Sequence, residues 1–248
     1  MLPIFKSDFS IGKSILTLNP PQDTDEEGSD SIFSIALDNN LKELILVEDC
    51  LTGFLQANKN CKDLGINLIF GLRISVSEST SKDSEKSKII IFAKNEKGCS
   101  LINKIYSFAN VDLDGFIDYK NLSKFFTEDL LIVVPFYDSF IFNNIFYFKS
   151  CIPDFSFCNP QFFIEDNNLP FDSILSNKVK SYCKENGFEF FLSKSIFYKN
   201  KEDFAAFQTY KCICNRSFSK SKTLESPNLE HLSSDEFSFE SYLNYESS

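Results

Sequence analysis

Short apolar runs alternate with amphipathic stretches along most of this chain, and that alternation constrains the fold more than any other feature. Residues 44–47, 67–76, 88–92, 130–134, 161–164 and 188–192 read as strands. Several are apolar at every position, as strands buried on both faces of a parallel sheet are. Residues 31–39, 53–62, 97–108, 171–185 and 202–212 carry helical periodicity instead. In the fourth of these, Ile174, Leu175, Val179, Tyr182 and Cys183 recur on one face, and Gly187 supplies a stop. Strands separated by helices imply α/β architecture, and at least six of them imply a barrel or a wound sheet, of which the barrel is the expectation. Residues 19–30 form an acidic, turn-rich surface loop, and residues 77–87 a Ser/Lys/Glu hairpin tip. From Ser217 onward helical periodicity gives way to a Ser-rich sequence. The expected division is therefore a barrel over 1–216 and an exit segment over 217–248.

Composition narrows the chemistry. Acids outnumber bases 35 to 25, leaving a net charge of −10, whereas free-standing nucleic-acid binders need a basic face to displace counterions. The single histidine, His231, excludes any multi-histidine metal centre. The eight cysteines form no C-x-x-C pair and read as small, reduced core residues. Cys212 and Cys214 are too close together, and too isolated, for a zinc site. The longest apolar run falls short of a transmembrane span, and the opening Met1 to Lys6 lacks the pattern of a signal peptide. A cytoplasmic protein is the expectation.

Ala93-Lys94-Asn95-Glu96-Lys97-Gly98, placed between an apolar strand and a helical stretch, resembles the strand, Ala-Lys-Asn turn and helix of the PHP domain in the bacterial DNA polymerase III alpha subunit. Other segments follow in that family's order. Lys6-Ser7-Asp8-Phe9-Ser10 is similar to its opening His-Ser-Asp-Tyr-Ser, and Ile45-Leu46-Val47-Glu48-Asp49 to its Leu-Thr-Asp-His strand end. The stretch from Leu64 to Ile74 resembles Gly-Ile-Lys-Pro-Ile-Ile-Gly-Cys-Glu-Val, and Ser193 to Tyr198 resembles Thr-Asn-Asp-Val-His-Tyr. Ser233-Ser234-Asp235-Glu236-Phe237-Ser238-Phe239 resembles the join to the polymerase body. The similarity runs from Met1 to about Tyr242 and implies a distorted seven-stranded (β/α) barrel.

The same resemblance implies a metal cluster whose ligands are mostly missing here. The family's opening His-any-His pair matches Ile4 and Lys6, and the acid of that loop matches Lys13. Its Asp-His becomes Glu48-Asp49, its strand-ending Glu becomes Arg73, and its late Asp-any-His pair becomes Ser195 and Phe197. Hydroxide generation and phosphodiester clamping need those ligands, so the expectation is no catalytic residue and no bound metal. Glu48 and Asp49 alone retain the chemistry for a weak Mg²⁺. In place of metal charge, Lys6, Lys13 and Arg73 are expected to form an ion-pair cluster with Glu48 and Asp49. His231 lies away from every ligand position.

The implied role is a structural, protein-binding module of a replicative polymerase, partnered by the polymerase body, a proofreading exonuclease or another replisome protein. Phe237 and Phe239, two apart in an extended exit segment, are expected to face that partner. Direct nucleic-acid binding is expected to be weak, and membrane contact absent. A residual PHP phosphoesterase or 3′–5′ exonuclease and an acidic replisome-interacting α/β protein are the alternatives. The metal-binding aspartates of a polymerase palm have no counterpart in the sequence.

Overall fold

The computed structural model describes residues 1–25, 28–214 and 234–246. In chain order they form β1 (Leu2–Phe5), α1 (Ile32–Asp38), β2 (Glu43–Glu48), α2 (Phe54–Leu64), β3 (Asn67–Ser77) and β4 (Lys86–Ala93). There follow α3 (Glu96–Ser107), β5 (Phe116–Asp118), α4 (Tyr119–Phe125), β6 (Leu130–Val134), α5 (Phe140–Phe146) and β7 (Gln161–Ile164). The series ends with α6 (Asp172–Asn186), β8 (Glu189–Ile196), α7 (Phe204–Cys214) and α8 (Phe239–Glu246).

The strand order is β2-β1-β8-β7-β6-β4-β3-β5, with a further β2–β3 pairing. Seven strands are thereby joined in a cyclic, barrel-type order, and β5 extends it beside β3. The molecule is mixed α/β, as the alternation of apolar runs implies. It is not uniformly parallel. β4 runs antiparallel to both β3 and β6, whereas β1–β2, β1–β8, β3–β5, β6–β7 and β7–β8 are parallel. The reversal has a local cause: the polar tract after β3 closes a hairpin, and a hairpin joins antiparallel neighbours.

The chain divides into two compact units and changes from one to the other within β3, on either side of Asp166–Pro170, and within β8. The first comprises Met1–Ile69, Asp166–Pro170 and Ser193–Ser248; the second comprises Phe70–Glu165 and Phe171–Leu192. Residues 217–233, where the sequence places its boundary and His231, lie outside the described residues.

In the first unit, Ser31 caps α1 by accepting from the backbone N–H groups of Phe33 and Ser34, and the helix buries Ile32, Phe33, Ile35 and Ala36. The exit segment belongs to this unit's core. Phe237 stacks on Phe197 at 5.3 Å between ring centroids, and Phe239 stacks on Phe5 at 5.8 Å. The two exit phenylalanines are 1% and 2% exposed. This corrects the expectation that they face a partner: their own chain covers both. The segment is also not a strand. It makes one isolated bridge, Tyr198 to Ser238, and turns into α8 at Phe239, so strand alternation does not govern where its side chains go.

In the second unit, the β3–β4 ladder runs from Gly71↔Phe92 to Ser77↔Lys86. A Cβ at Gly71 would lie 2.6 Å from the Phe92 ring and 2.9 Å from the Ile90 side chain, so those two side chains occupy the space that glycine leaves. Phe140, Phe155, Phe162, Tyr182 and Phe188 pack edge to face and stacked, with centroids 5.2 to 6.5 Å apart. α6 stops at Gly187, whose φ of 71° is left-handed.

Candidate functional site

Parallel pairing brings three chain crossings to one end of the first unit. Ile4 lies opposite both Ile45 and Ser195, and Phe5 lies opposite Leu46 and Ile196. The residues that leave β1, β2 and β8, namely Lys6, Asp49 and Phe197, therefore emerge together. Two matched pairs in a parallel ladder point to the same face, so Ile4 and Ser195 share one side.

Lys6 Nζ donates to Asp49 Oδ1 at 3.1 Å; the lysine side chain is 8% exposed and the aspartate 28%. Glu48 has no exposed surface. Its Oε1 accepts from the Ser7 N–H at 2.8 Å, and its Oε2 accepts from the Ser10 hydroxyl. Ser10 Oγ in turn accepts from the Asp49 N–H at 2.9 Å. Burial pushes the Glu48 carboxyl above its ordinary pKa, while nearby Lys6 and the hydrogen bonds from Ser10 and Ser7 act against that rise. A lysine, two serines and two acids thus form one continuous polar network in an otherwise apolar interior.

The remaining expected positions have surroundings of their own. Ile4 is a core residue, 6% exposed. Phe197 stacks between Phe207 and Phe237, a packing role with no ligand chemistry. Ser195 is half-buried on β8. Lys13 departs from the expected cluster: its N–H donates to the Ser10 carbonyl, and no ion pair of its side chain occurs among the described residues. It follows Gly12, whose φ of 72° is left-handed. Arg73 lies in the second unit, where it pairs with Asp138. Asp138 adopts a left-handed φ of 59°, and its carbonyl accepts from the Lys88 N–H at 2.8 Å.

Sequence reasoning missed Ser7 and Ser10, which hold Glu48, and Asp138, which holds Arg73. For the serines a signal existed: both lie in the Lys6-Ser7-Asp8-Phe9-Ser10 segment. For Asp138 there was none, since it is 65 residues from Arg73.

Glu48 accepts from the serine turn and Asp49 from Lys6, and the Lys6 ammonium also acts electrostatically on Glu48. A fully buried carboxylate already holding two donors is poorly placed to accept a substrate proton. Among the described residues, no group of three or more His, Cys, Asp or Glu side chains has the arrangement to hold a metal ion. Nor is any helix there long and apolar enough to cross a membrane. No family model matches the chain, and no curated protein matches it.

Proposed function

We propose that this chain is a non-catalytic PHP-like module of a C-family replicative DNA polymerase, acting in the cytoplasm as a structural and protein-binding element of the replisome. The cyclic seven-strand order supports a distorted barrel of the PHP type, and the ordered sequence resemblance supports the family. One observation carries the loss of catalysis. At a position matched to a metal-binding histidine, Lys6 places its own ammonium 3.1 Å from Asp49. A fixed cation there satisfies the carboxylate electrostatically and competes with any divalent ion for it.

The test pairs two measurements on the full chain. Gel filtration with a C-family polymerase body lacking its own PHP domain should give a co-eluting complex. Incubation with end-labelled single-stranded DNA and Mn²⁺ should give no cleavage above buffer. Cleavage abolished by Asp49→Asn would replace this reading with a residual phosphoesterase. Absence of the complex would remove the polymerase partner.

A further inference from the structure

Among the described residues, Phe148 is the most exposed large apolar side chain, at 92%. Its φ of 52° is left-handed, a conformation that bulky side chains rarely adopt. Such a backbone persists only where its surroundings hold it, and here they do. The Tyr147 and Lys149 N–H groups on either side both donate to the Asn143 carbonyl, at 3.0 and 3.3 Å. Asn144 clasps Cys151: its side-chain oxygen accepts from the Cys151 N–H at 2.8 Å, and its amide donates to the Cys151 carbonyl at 2.9 Å. Lys149 Nζ pairs with Glu85 at 3.1 Å. The loop is thus fastened around an aromatic knob, and Ile152 in the same loop is 58% exposed. A hollow lies elsewhere on the same unit. α3 runs on into a wider π-turn, Phe108–Asp112, and a groove of about 440 Å³ lies between this end of α3 and Phe125 of α4. Phe108 and Phe125, 5.5 Å apart between ring centroids, line it together with Val111, Lys104 and Asp112.

We propose that Phe148 of one copy of this chain docks in the Phe108–Val111–Phe125 groove of a second copy, the two exchanging knobs reciprocally. The inference is independent of the function proposed above. Knob and groove both belong to the second unit and lie far from either end of the sequence. They do not fill one another within one chain, since Phe148 is 92% and Val111 82% exposed. Local charge argues for the second copy. The knob carries Lys149 and Glu85, and the groove carries Asp112 and Lys104, so each charge beside the knob has a counterpart of opposite sign in the groove. An aromatic ring already held in place loses little freedom on docking. A single phenylalanine buries roughly 150–250 Å², well short of the roughly 800 Å² per partner of a stable interface. Reciprocal exchange makes the contact twice, as a two-fold interface does, and the result is a weak dimer that forms with rising concentration.

Sedimentation velocity of the full chain across a wide concentration range tests this. The wild type should pass from monomer to dimer. Phe148→Ser, which removes the knob, and Val111→Lys, which spoils the groove, should each weaken the dimer at least about tenfold. Leu55→Lys serves as the control, because Leu55 is 76% exposed on α2 in the first unit, and it should change nothing. Mixing the two weakened variants is the decisive step. One still has its groove and the other its knob, so the mixture regains one of the two contacts and should associate more strongly than either variant alone. A photo-crosslinker at position 148 of an otherwise unaltered chain should join the 103–125 segment of a second copy, which keeps the test decisive if a variant fails to fold. A wild type that stays monomeric overturns the second copy as occupant and leaves the knob to a foreign partner or a lipid surface. Equal association of wild type and both variants, no gain on mixing, or an adduct outside the groove overturns the docking itself.

Discussion

Glu48 shows how one residue's surroundings decide its role. A carboxylate with no exposed surface loses its hydration, and only direct donors restore part of what water supplied. Ser7 and Ser10 are those donors. Ser10→Ala should therefore cost roughly 1–3 kcal/mol, the penalty for leaving buried polar groups without partners, because it strips Glu48 of one bond and the Asp49 N–H of another. Chemical denaturation of the two proteins measures it. The pH response has a definite sign. Burial raises the folded-state pKa of Glu48 above its unfolded value, so on acidification the folded protein takes up this proton first. Stability of the wild type relative to Glu48→Gln should rise as pH falls from neutral toward the ordinary carboxylate range, and should level off below it. A stability difference independent of pH over that window would mean that Glu48 titrates normally. The sequence marked Glu48, Asp49 and Lys6 as positions. It did not separate the two acids, because adjacency in sequence says nothing about which turn supplies each one's hydrogen bonds.

At the scale of elements, Lys94, Asn95 and Gly98 each have a separate geometric duty where β4 passes into α3. Lys94 N–H donates to the Asp129 carbonyl at 2.9 Å as β4 ends. Asn95 caps α3: its side-chain oxygen accepts from the Gly98 N–H at 3.0 Å, and its amide donates to Asp129 Oδ1 at 2.6 Å. Gly98 lets the first turn of α3 approach the Asp129 carbonyl oxygen, into which any Cβ would collide. Asn95→Ala should cost about 1 kcal/mol as a lost cap, and Gly98→Ala about 1–3 kcal/mol as overpacking. Thermal melts that rank the two in the opposite order would show that the backbone yields at Gly98. Elsewhere legibility followed apolar periodicity. The runs at 130–134 and 161–164 coincide with β6 and β7. The second half of β8 was missed because Ser193, Lys194 and Ser195 look like a loop, although Ser193 and Lys194 are 0% and 2% exposed. α5 was missed for the converse reason: its Phe-Ile-Phe opening favours a strand, but Ser139 caps it and burial of Phe140, Ile141 and Phe142 holds it helical.

For the molecule as a whole, linear order and physical grouping differ. The sequence suggested a barrel over 1–216 followed by a separate exit segment, since helical periodicity fades from Ser217 onward. Contacts place residues 234–246 with the first unit, and several independent ties fasten them there. Ser234 Oγ donates to the Asn167 carbonyl at 2.5 Å, and Glu236 pairs with Lys201 at 2.6 Å and with Lys194 at 3.5 Å. The Phe237 carbonyl accepts from the Phe197 N–H at 2.9 Å, and the Phe239 N–H donates to the Tyr198 carbonyl at 3.0 Å. Loss of a buried phenylalanine side chain costs roughly 3–5 kcal/mol, and a domain's whole stability is about 5–15 kcal/mol. Deleting the segment removes both Phe237 and Phe239, which takes the stacking partner of Phe5 and leaves Phe197 stacked on Phe207 alone. A chain ending after residue 216 should therefore show exposed aromatic surface, increased dye binding and loss of cooperative unfolding in the first unit. Single Phe237→Ala and Phe239→Ala substitutions should shift the denaturation midpoint downward while the chain remains folded. If the truncated chain melts at the temperature of the intact one, these stacks contribute nothing to stability and the exit segment is free to serve a partner after all.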